Sequence, residues 1–222
     1  MALEILDDAL DLSETDVADA AANGEAAALF PAAAMGVTEI VGAPAAEFAH
    51  LDPRKVVPAD LLTRVLDFFH THRDKFANQA VISVLDYKRS SRDPRFHVID
   101  MKSGEVHSLR MANGIGSEPD HDGIAHKFGN VPGSNMSSLG FVRTAETYQG
   151  KHGLSLRLDG LSDTNSNMRS RAVVVHGAEY VTDKPVIQGR SNGCPAVPMS
   201  QFTQLINAIK GGSLMLFGVS GS

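Results

Sequence analysis

Apolar and polar positions divide the chain into a long N-terminal stretch without sustained periodicity, one strong helical stripe, and a body of strand patterns. Leu61, Leu62, Val65, Leu66, Phe68 and Phe69 recur at helical spacing behind Pro58 and Asp60, which predicts a helix from Pro58 to Phe76. Ala80–Tyr87 is β-rich, and Phe96–Met101 and Val106–Met111 flank Lys102-Ser103-Gly104, a hairpin turn. Gly140–Tyr148 reads as a further strand. Leu154–Asp159 alternates apolar and polar residues as a half-buried strand does, and Ala172–Val175 is a short β-branched run suited to a central strand. Phe202, Leu205, Ile206 and Ile209 form a second helical stripe that stops at Gly211-Gly212, where a cap with positive φ is expected. Ser213–Val219 reads as the last strand. The body from about residue 78 is therefore expected to be mainly β with two flanking helices.

The first fifty residues differ in pattern and in charge. Leu3, Leu6 and Leu10 allow a short amphipathic helix, but Asn23-Gly24, Pro31, Gly36, Gly42 and Pro44 prevent one long one. Residues 1–50 hold ten acids and no Lys or Arg, so the net charge of −6 is a property of this segment. The remainder carries 16 acids against 20 bases, and a body so weakly basic gives no electrostatic case for nucleic-acid binding. We divide the chain into a flexible acidic, Ala-rich extension, residues 1–50, and a folded domain, residues 51–222. A sharper reading of the extension is a segment that covers the active site or docks on a partner.

The longest apolar stretch, Ala26 to Val37, has 12 residues and contains Pro31, well short of the ~20 that span a bilayer. The residues after Met1 lack a basic n-region, and Asp7 and Asp8 interrupt the apolar run, so no signal peptide is expected in the sequence as written. Cys194 is the only cysteine, which excludes an intrachain disulfide. A lone cysteine is either a small core residue or a nucleophile that must stay unpaired to work.

Two segments carry candidate chemistry. Val173-Val174-Val175-His176-Gly177 places a histidine at the exit of an apolar strand. Gly189-Arg190-Ser191-Asn192-Gly193-Cys194-Pro195 places the thiol in a Gly-containing loop ahead of a helix. A thiol with a pKa of about 8.5 is only a few per cent thiolate near neutrality, and an adjacent imidazole takes its proton and later returns it to a leaving amine. Gly193 permits close approach of the backbone to a bound carbonyl, so the N–H groups around Asn192, Gly193 and Cys194 are candidates for an oxyanion hole. Pro195 has no N–H, so the donors must lie at or before Cys194. Histidine plus cysteine alone is a weak signal in a chain with nine histidines; strand, Gly loop and spacing together raise it.

His176, a spacer of 14 residues and Ser191-Asn192-Gly193-Cys194 resemble the signature of the L,D-transpeptidase catalytic domain, the YkuD-like fold. Phe128–Phe141 looks like the Pro-Gly strand entry of that domain, and Glu146–Gly153 with Leu154–Gly160 resemble parts of its murein L,D-transpeptidase subgroup. The likeness covers roughly residues 55–218. It implies a mainly β, YkuD-like β-sandwich with flanking helices, α+β by content. It implies Cys194 as nucleophile and His176 as base, with the Gly177 carbonyl orienting the imidazole, and Ser191, Asn192 and Gly193 shaping the nucleophile loop. Better-known members often carry His where Asn192 stands, and Arg two residues after the cysteine, where this chain has Ala196. Substrate carboxylate recognition is then expected from Arg190, Arg157 or Lys151, with Tyr148 and His152 lining the cleft.

The family analogy further implies thioester chemistry on peptidoglycan tetrapeptide stems with release of D-Ala. An amine acceptor gives a 3–3 cross-link, and water gives L,D-carboxypeptidase activity instead. Stem peptides serve as donor and acceptor, no metal or organic cofactor is expected, and the location is periplasmic or cell envelope. Two other classes stay open on the residues alone. One is a metal-dependent peptidase using His121, Asp122 and His126, whose spacing matches no standard ligand set. The other is a catalytically silent wall-binding module that keeps the fold.

Overall fold

The computed structural model describes residues 47–222. The readings made for residues 1–46, including the possible helix at Leu3–Leu10, lie outside the described residues. Among the described residues the first regular element is helix α1 (Ala59–His72), followed by a single 3-10 turn (Arg73–Lys75). The strands are β1 (Val81–Asp86), β2 (Phe96–Asp100), β3 (Val106–Leu109), β4 (Asn113–Gly114), β5 (Gly140–Gly150), β6 (Gly153–Gly160), β7 (Val174–Ala178), β8 (Arg190–Ser191), β9 (Val197–Pro198) and β10 (Leu214–Gly218). Helix α2 (Phe202–Ile209) precedes the last strand. The fold is mainly β: eight strands join in one mixed sheet ordered β3-β2-β1-β10-β5-β6-β7-β9, while β4 and β8 pair as a two-stranded ribbon.

The centre of the sheet is the parallel pair β1 and β10, in register from Ile82 opposite Leu214 to Asp86 opposite Gly218. Every residue of both strands is buried, which is why their sequences read as continuous apolar runs rather than alternation. Alternate side chains serve opposite faces. Ile82, Val84, Leu214 and Leu216 pack with Leu61, Val65 and Phe69 of α1. Val81, Leu85, Met215 and Phe217 pack with Leu205, Ile206 and Ile209 of α2, in a cluster that extends through Val142, Leu156 and Val175 to Val197. Gly218 lets α1 sit directly on the sheet, since a Cβ there would meet Leu61 Cδ2 at 2.6 Å.

The terminus of α2 follows its glycines. Lys210 N–H bonds to the Ile206 carbonyl, and Gly211 and Gly212 take φ of +82° and +92°, the left-handed conformation that lets the chain turn into β10. The Lys102–Gly104 turn joins β2 to β3, with Gly104 at φ +79°. One predicted strand shifts. The run Ala172–Val175 suggested a strand ending before His176, yet β7 begins at Val174 and has His176 at its centre. Ala172 adopts φ +53°, and hydrogen bonds from its N–H to Arg169 and from Val173 N–H to Met168 hold a turn that delays strand entry. The two-residue strands β4, β8 and β9 were not predicted, because two residues carry no periodicity.

Two stability predictions follow from this packing. Leu216→Ala, at a fully buried site between α1 and the sheet, is expected to cost about 2–5 kcal/mol, read from denaturant unfolding. His97 is buried beside Ser108, with Nδ1 2.8 Å from the hydroxyl, and its Nε2 has no hydrogen-bond partner among the described residues. Burial, reinforced by the Arg89 charge, pushes its pKa down from 6.5 to about 4. The unfolded chain therefore takes up a proton that the fold refuses, and stability is expected to fall as pH drops from 6.5 to about 4. His97→Gln should flatten that limb of a pH series of urea midpoints; an unchanged slope would assign the loss to other groups.

Candidate active site

The only cysteine sits in a loop that the backbone clasps at both ends. Ser191 pairs with Gly114 in the parallel β4–β8 ribbon, and Ile115 N–H donates to the Ser191 carbonyl at 2.7 Å. Ala112 N–H donates to the Ala196 carbonyl at 2.9 Å, on the far side of Cys194. Inside the loop, Ser191 Oγ donates to the Cys194 carbonyl at 2.7 Å and accepts the Gly193 N–H at 3.1 Å. Pro195 centres a tight turn closed by Ala196 N–H on the same Cys194 carbonyl at 2.9 Å. The Gly193 N–H, one of the expected oxyanion donors, is thus engaged within the loop.

Gly193 is required by both conformation and space. Its φ is +116°, and a Cβ there would lie 2.8 Å from the Met136 carbonyl oxygen. Gly114 answers it from the clasping segment, since a Cβ on Gly114 would lie 3.0 Å from Gly193 Cα. Behind the clasp stands a buried polar chain. Arg95, fully buried, donates to Asn113 Oδ1 at 2.7 Å, and Asn113 Nδ2 donates to Glu118 Oε2 at 2.8 Å. Glu118 also accepts the Gly123 N–H. Burial lowers the Arg95 pKa to about 10 and raises that of Tyr87, whose ring lies under the Arg95 guanidinium at 5.6 Å, to about 12. Arg95 stays charged and Tyr87 neutral at physiological pH.

His176 lies on the neighbouring strand. β7 and β9 pair in parallel, Gly177 opposite Val197, so the thiol loop runs into the strand that flanks the histidine. The imidazole is fully buried, with Nδ1 2.9 Å from the Gly177 carbonyl oxygen. A proton on Nδ1 donated to that carbonyl leaves Nε2 as the basic nitrogen. The thiol itself points toward the segment entering β7: Sγ lies 3.8 Å from the Ala172 carbonyl oxygen. Cys194 is half-buried. The expected helix follows the loop as α2 at Phe202, with β9 and a turn between it and Cys194.

Among the remaining sequence candidates, His152 reaches the histidine directly. His152, at the tip of the β5–β6 hairpin, stacks on His176 with ring centroids 4.3 Å apart and planes inclined by 26°. Tyr148 and Arg157 meet on the same hairpin, the guanidinium 4.5 Å from the ring centroid. Arg157 Nε also lies 3.3 Å from Glu146 Oε1, and Arg169 makes a two-pronged contact to the same carboxylate at 2.7 and 3.1 Å. Hydrogen bonding from Arg169 is the main reason the Glu146 carboxyl sits below its ordinary range. Lys151 is exposed at the hairpin tip. Arg190 is turned to structural use, its Nη1 donating to the Glu118 and Pro119 carbonyls at 2.7 and 3.0 Å.

Of the residues considered for a metal, His121 Nε2 lies 2.9 Å from the Gln188 carbonyl oxygen, while His126 Nε2 lies 2.9 Å from Asp122 Oδ2. Among the described residues no three His, Cys, Asp or Glu side chains group so as to hold a metal ion. Two residues of the neighbourhood escaped the sequence reading. Asn113 anchors the clasp through contacts that only the folded chain creates. Arg171 packs against the Gly193 backbone from a turn whose sequence, Arg169-Ser170-Arg171, reads only as polar surface. A Cβ on Gly193 would lie 3.3 Å from Arg171 Nη2.

No curated protein matches the chain. Among solved structures, an L,D-transpeptidase from Mycobacterium smegmatis aligns at 14% identity and TM-score 0.40, over 62% of this chain and 58% of that one. The helical cell shape determining protein Pgp2 (K307A mutant) from Campylobacter jejuni aligns at 9% identity and TM-score 0.43, over 70% and 55%. Mycobacterium tuberculosis L,D-transpeptidase 1 aligns at 14% identity and TM-score 0.35, over 63% and 62%. The chain thus spans between half and two thirds of the length of these structures. The family model for the L,D-transpeptidase catalytic domain matches residues 54–217, and the chain belongs to that family.

Proposed function

We propose that this protein is a cysteine L,D-transpeptidase that remodels peptidoglycan at the cell envelope through a thioester on Cys194. The observation that carries the reading is the clamped loop: the chain's one thiol is fixed beside the strand that carries His176. His176 Nε2 takes the thiol proton, and the thiolate attacks the carbonyl carbon joining the third stem residue to the terminal D-Ala. The new S–C bond forms, the C–N bond breaks, and D-Ala leaves as an amine protonated by His176. An acceptor amine from a second stem then attacks the thioester, gives its proton to His176, and restores the thiol as the C–S bond breaks. Water in place of the amine gives hydrolysis, so the acceptor alone separates transpeptidase from carboxypeptidase.

The Gly177 carbonyl holds the imidazole in the tautomer this route needs. With the Gly193 N–H engaged by Ser191, oxyanion stabilisation falls to the other loop amides, those of Asn192 and Cys194. The β5–β6 hairpin, with Tyr148, Lys151, His152 and Arg157, forms one wall of the donor site. Arg190 contributes by bracing the loop.

The direct test is release of D-Ala from a disaccharide-tetrapeptide. Cys194→Ala is expected to abolish release and His176→Gln to reduce it by roughly 10²–10⁴-fold, the range for loss of a general base. Release that survives Cys194→Ala would refute the thioester reading. Gly193→Ala, forced against the Met136 carbonyl at a φ of +116°, is expected to lower turnover about tenfold or more and to lower the unfolding midpoint as well. Wild-type turnover in that variant would show that the loop geometry is not needed.

A further inference from the structure

Arg171 is a half-buried cation held by four oxygens. Nη1 donates to the Gly129 carbonyl at 2.9 Å and to Ser138 Oγ at 2.7 Å. Nη2 donates to the Met136 carbonyl at 2.7 Å and faces Ser134 Oγ at 3.5 Å. All of these are neutral oxygens, and they hold the guanidinium rigidly. Among the described residues no carboxylate pairs with Arg171, whereas Arg143, Arg157 and Arg169 all lie on Glu146 or Asp159. Burying a charge without a counter-charge is costly, so a positive group kept this way calls for an anion nearby.

The geometry supplies one candidate. A Cβ on Gly193, the residue before Cys194, would lie 3.3 Å from Arg171 Nη2. The next residue along from Arg171 is Ala172, whose carbonyl lies 3.8 Å from Sγ and whose φ of +53° turns the chain at that point. Burial lowers the Arg171 pKa, and the ionisable group that acts against this is the Cys194 thiol.

We propose that Arg171 is a fixed cation that favours the thiolate of Cys194. This rests on the reading of Cys194 as nucleophile and extends it: the thiol is poised by two groups, His176 as proton acceptor and Arg171 as a permanent charge. Arg171 is a positioning residue, because both terminal nitrogens of its guanidinium are turned to backbone and hydroxyl oxygens of residues 129–138. It also assigns a use to the tight packing at Gly193, where a side chain would meet the guanidinium and the Met136 carbonyl that steadies it. The other titratable groups around the loop are Tyr87, held neutral by a pKa near 12, and the stacked His176 and His152.

The test is the pH dependence of iodoacetamide alkylation of Cys194 in the full chain, for wild type, Arg171→Gln, Arg171→Met and Arg171→Lys. The neutral variants are expected to move the midpoint up by about one unit, slowing alkylation about tenfold on the acid side, with Lys retaining most of the wild-type profile. A midpoint unmoved in the neutral variants, or moved equally by Lys, overturns the proposal; the second outcome would mark Arg171 as a brace for residues 129–138 only. A measurement that leaves Arg171 in place covers the case of variants that do not fold. In His176→Gln the midpoint is expected to stay below the ~8.5 of a free thiol, and a midpoint at or above it overturns the proposal. Failure here leaves D-Ala release by the wild type intact. Failure of the nucleophile reading instead removes D-Ala release from the Cys194 dependence, whatever the alkylation profile shows.

Discussion

The parallel registration of β7 with β9, locked by the clasp of residues 112–115 on the thiol loop, is the constraint on which the site depends. A loop of six residues has little structure of its own. Here its two ends are tied to one strap, its centre is closed by Ser191 Oγ, and its exit is paired with the strand that bears His176. Thiol and imidazole arrive from segments 18 residues apart in sequence, and backbone hydrogen bonds tie the loop of one to the strand of the other. Catalytic geometry held this way changes little when surface residues change.

The strap in turn needs support, and the buried chain of Arg95, Asn113 and Glu118 provides it. Asn113 bridges the Arg95 guanidinium and the Glu118 carboxylate, while the buried Arg95 Nε has no hydrogen-bond partner among the described residues. Loss of a member of such a network leaves a buried charge uncompensated. The two apolar clusters on either face of β1 and β10 carry the bulk of the stability, and the polar chain fixes one local geometry on that rigid base.

Much of this architecture was legible in the sequence where periodicity or punctuation speaks. The α1 stripe, the Lys102–Gly104 turn, the α2 helix and its Gly211-Gly212 ending all follow from spacing and from the special conformations of glycine. The pairing of His176 with a Gly-Cys loop was legible as a motif. The exact start of β7 was not, because Ala172 takes a left-handed conformation that an alanine does not advertise. Neither was Arg171, since a guanidinium bound only to carbonyls and hydroxyls leaves no acid at a regular spacing to mark it. Arg190, expected for carboxylate recognition, also directs Nη1 to the 118–119 backbone, a contact that no spacing in the sequence marks. For the residues before Glu47 the reading remains one of composition.

The account stands most directly on the covalent step. The decisive measurement is intact-protein mass during turnover with a disaccharide-tetrapeptide, followed by peptide mapping of any adduct. The account predicts a transient mass increase equal to the donor minus D-Ala, located on the peptide containing Cys194 and absent from Cys194→Ala. An adduct on another residue, or D-Ala release with no adduct under conditions that trap thioesters, would contradict it.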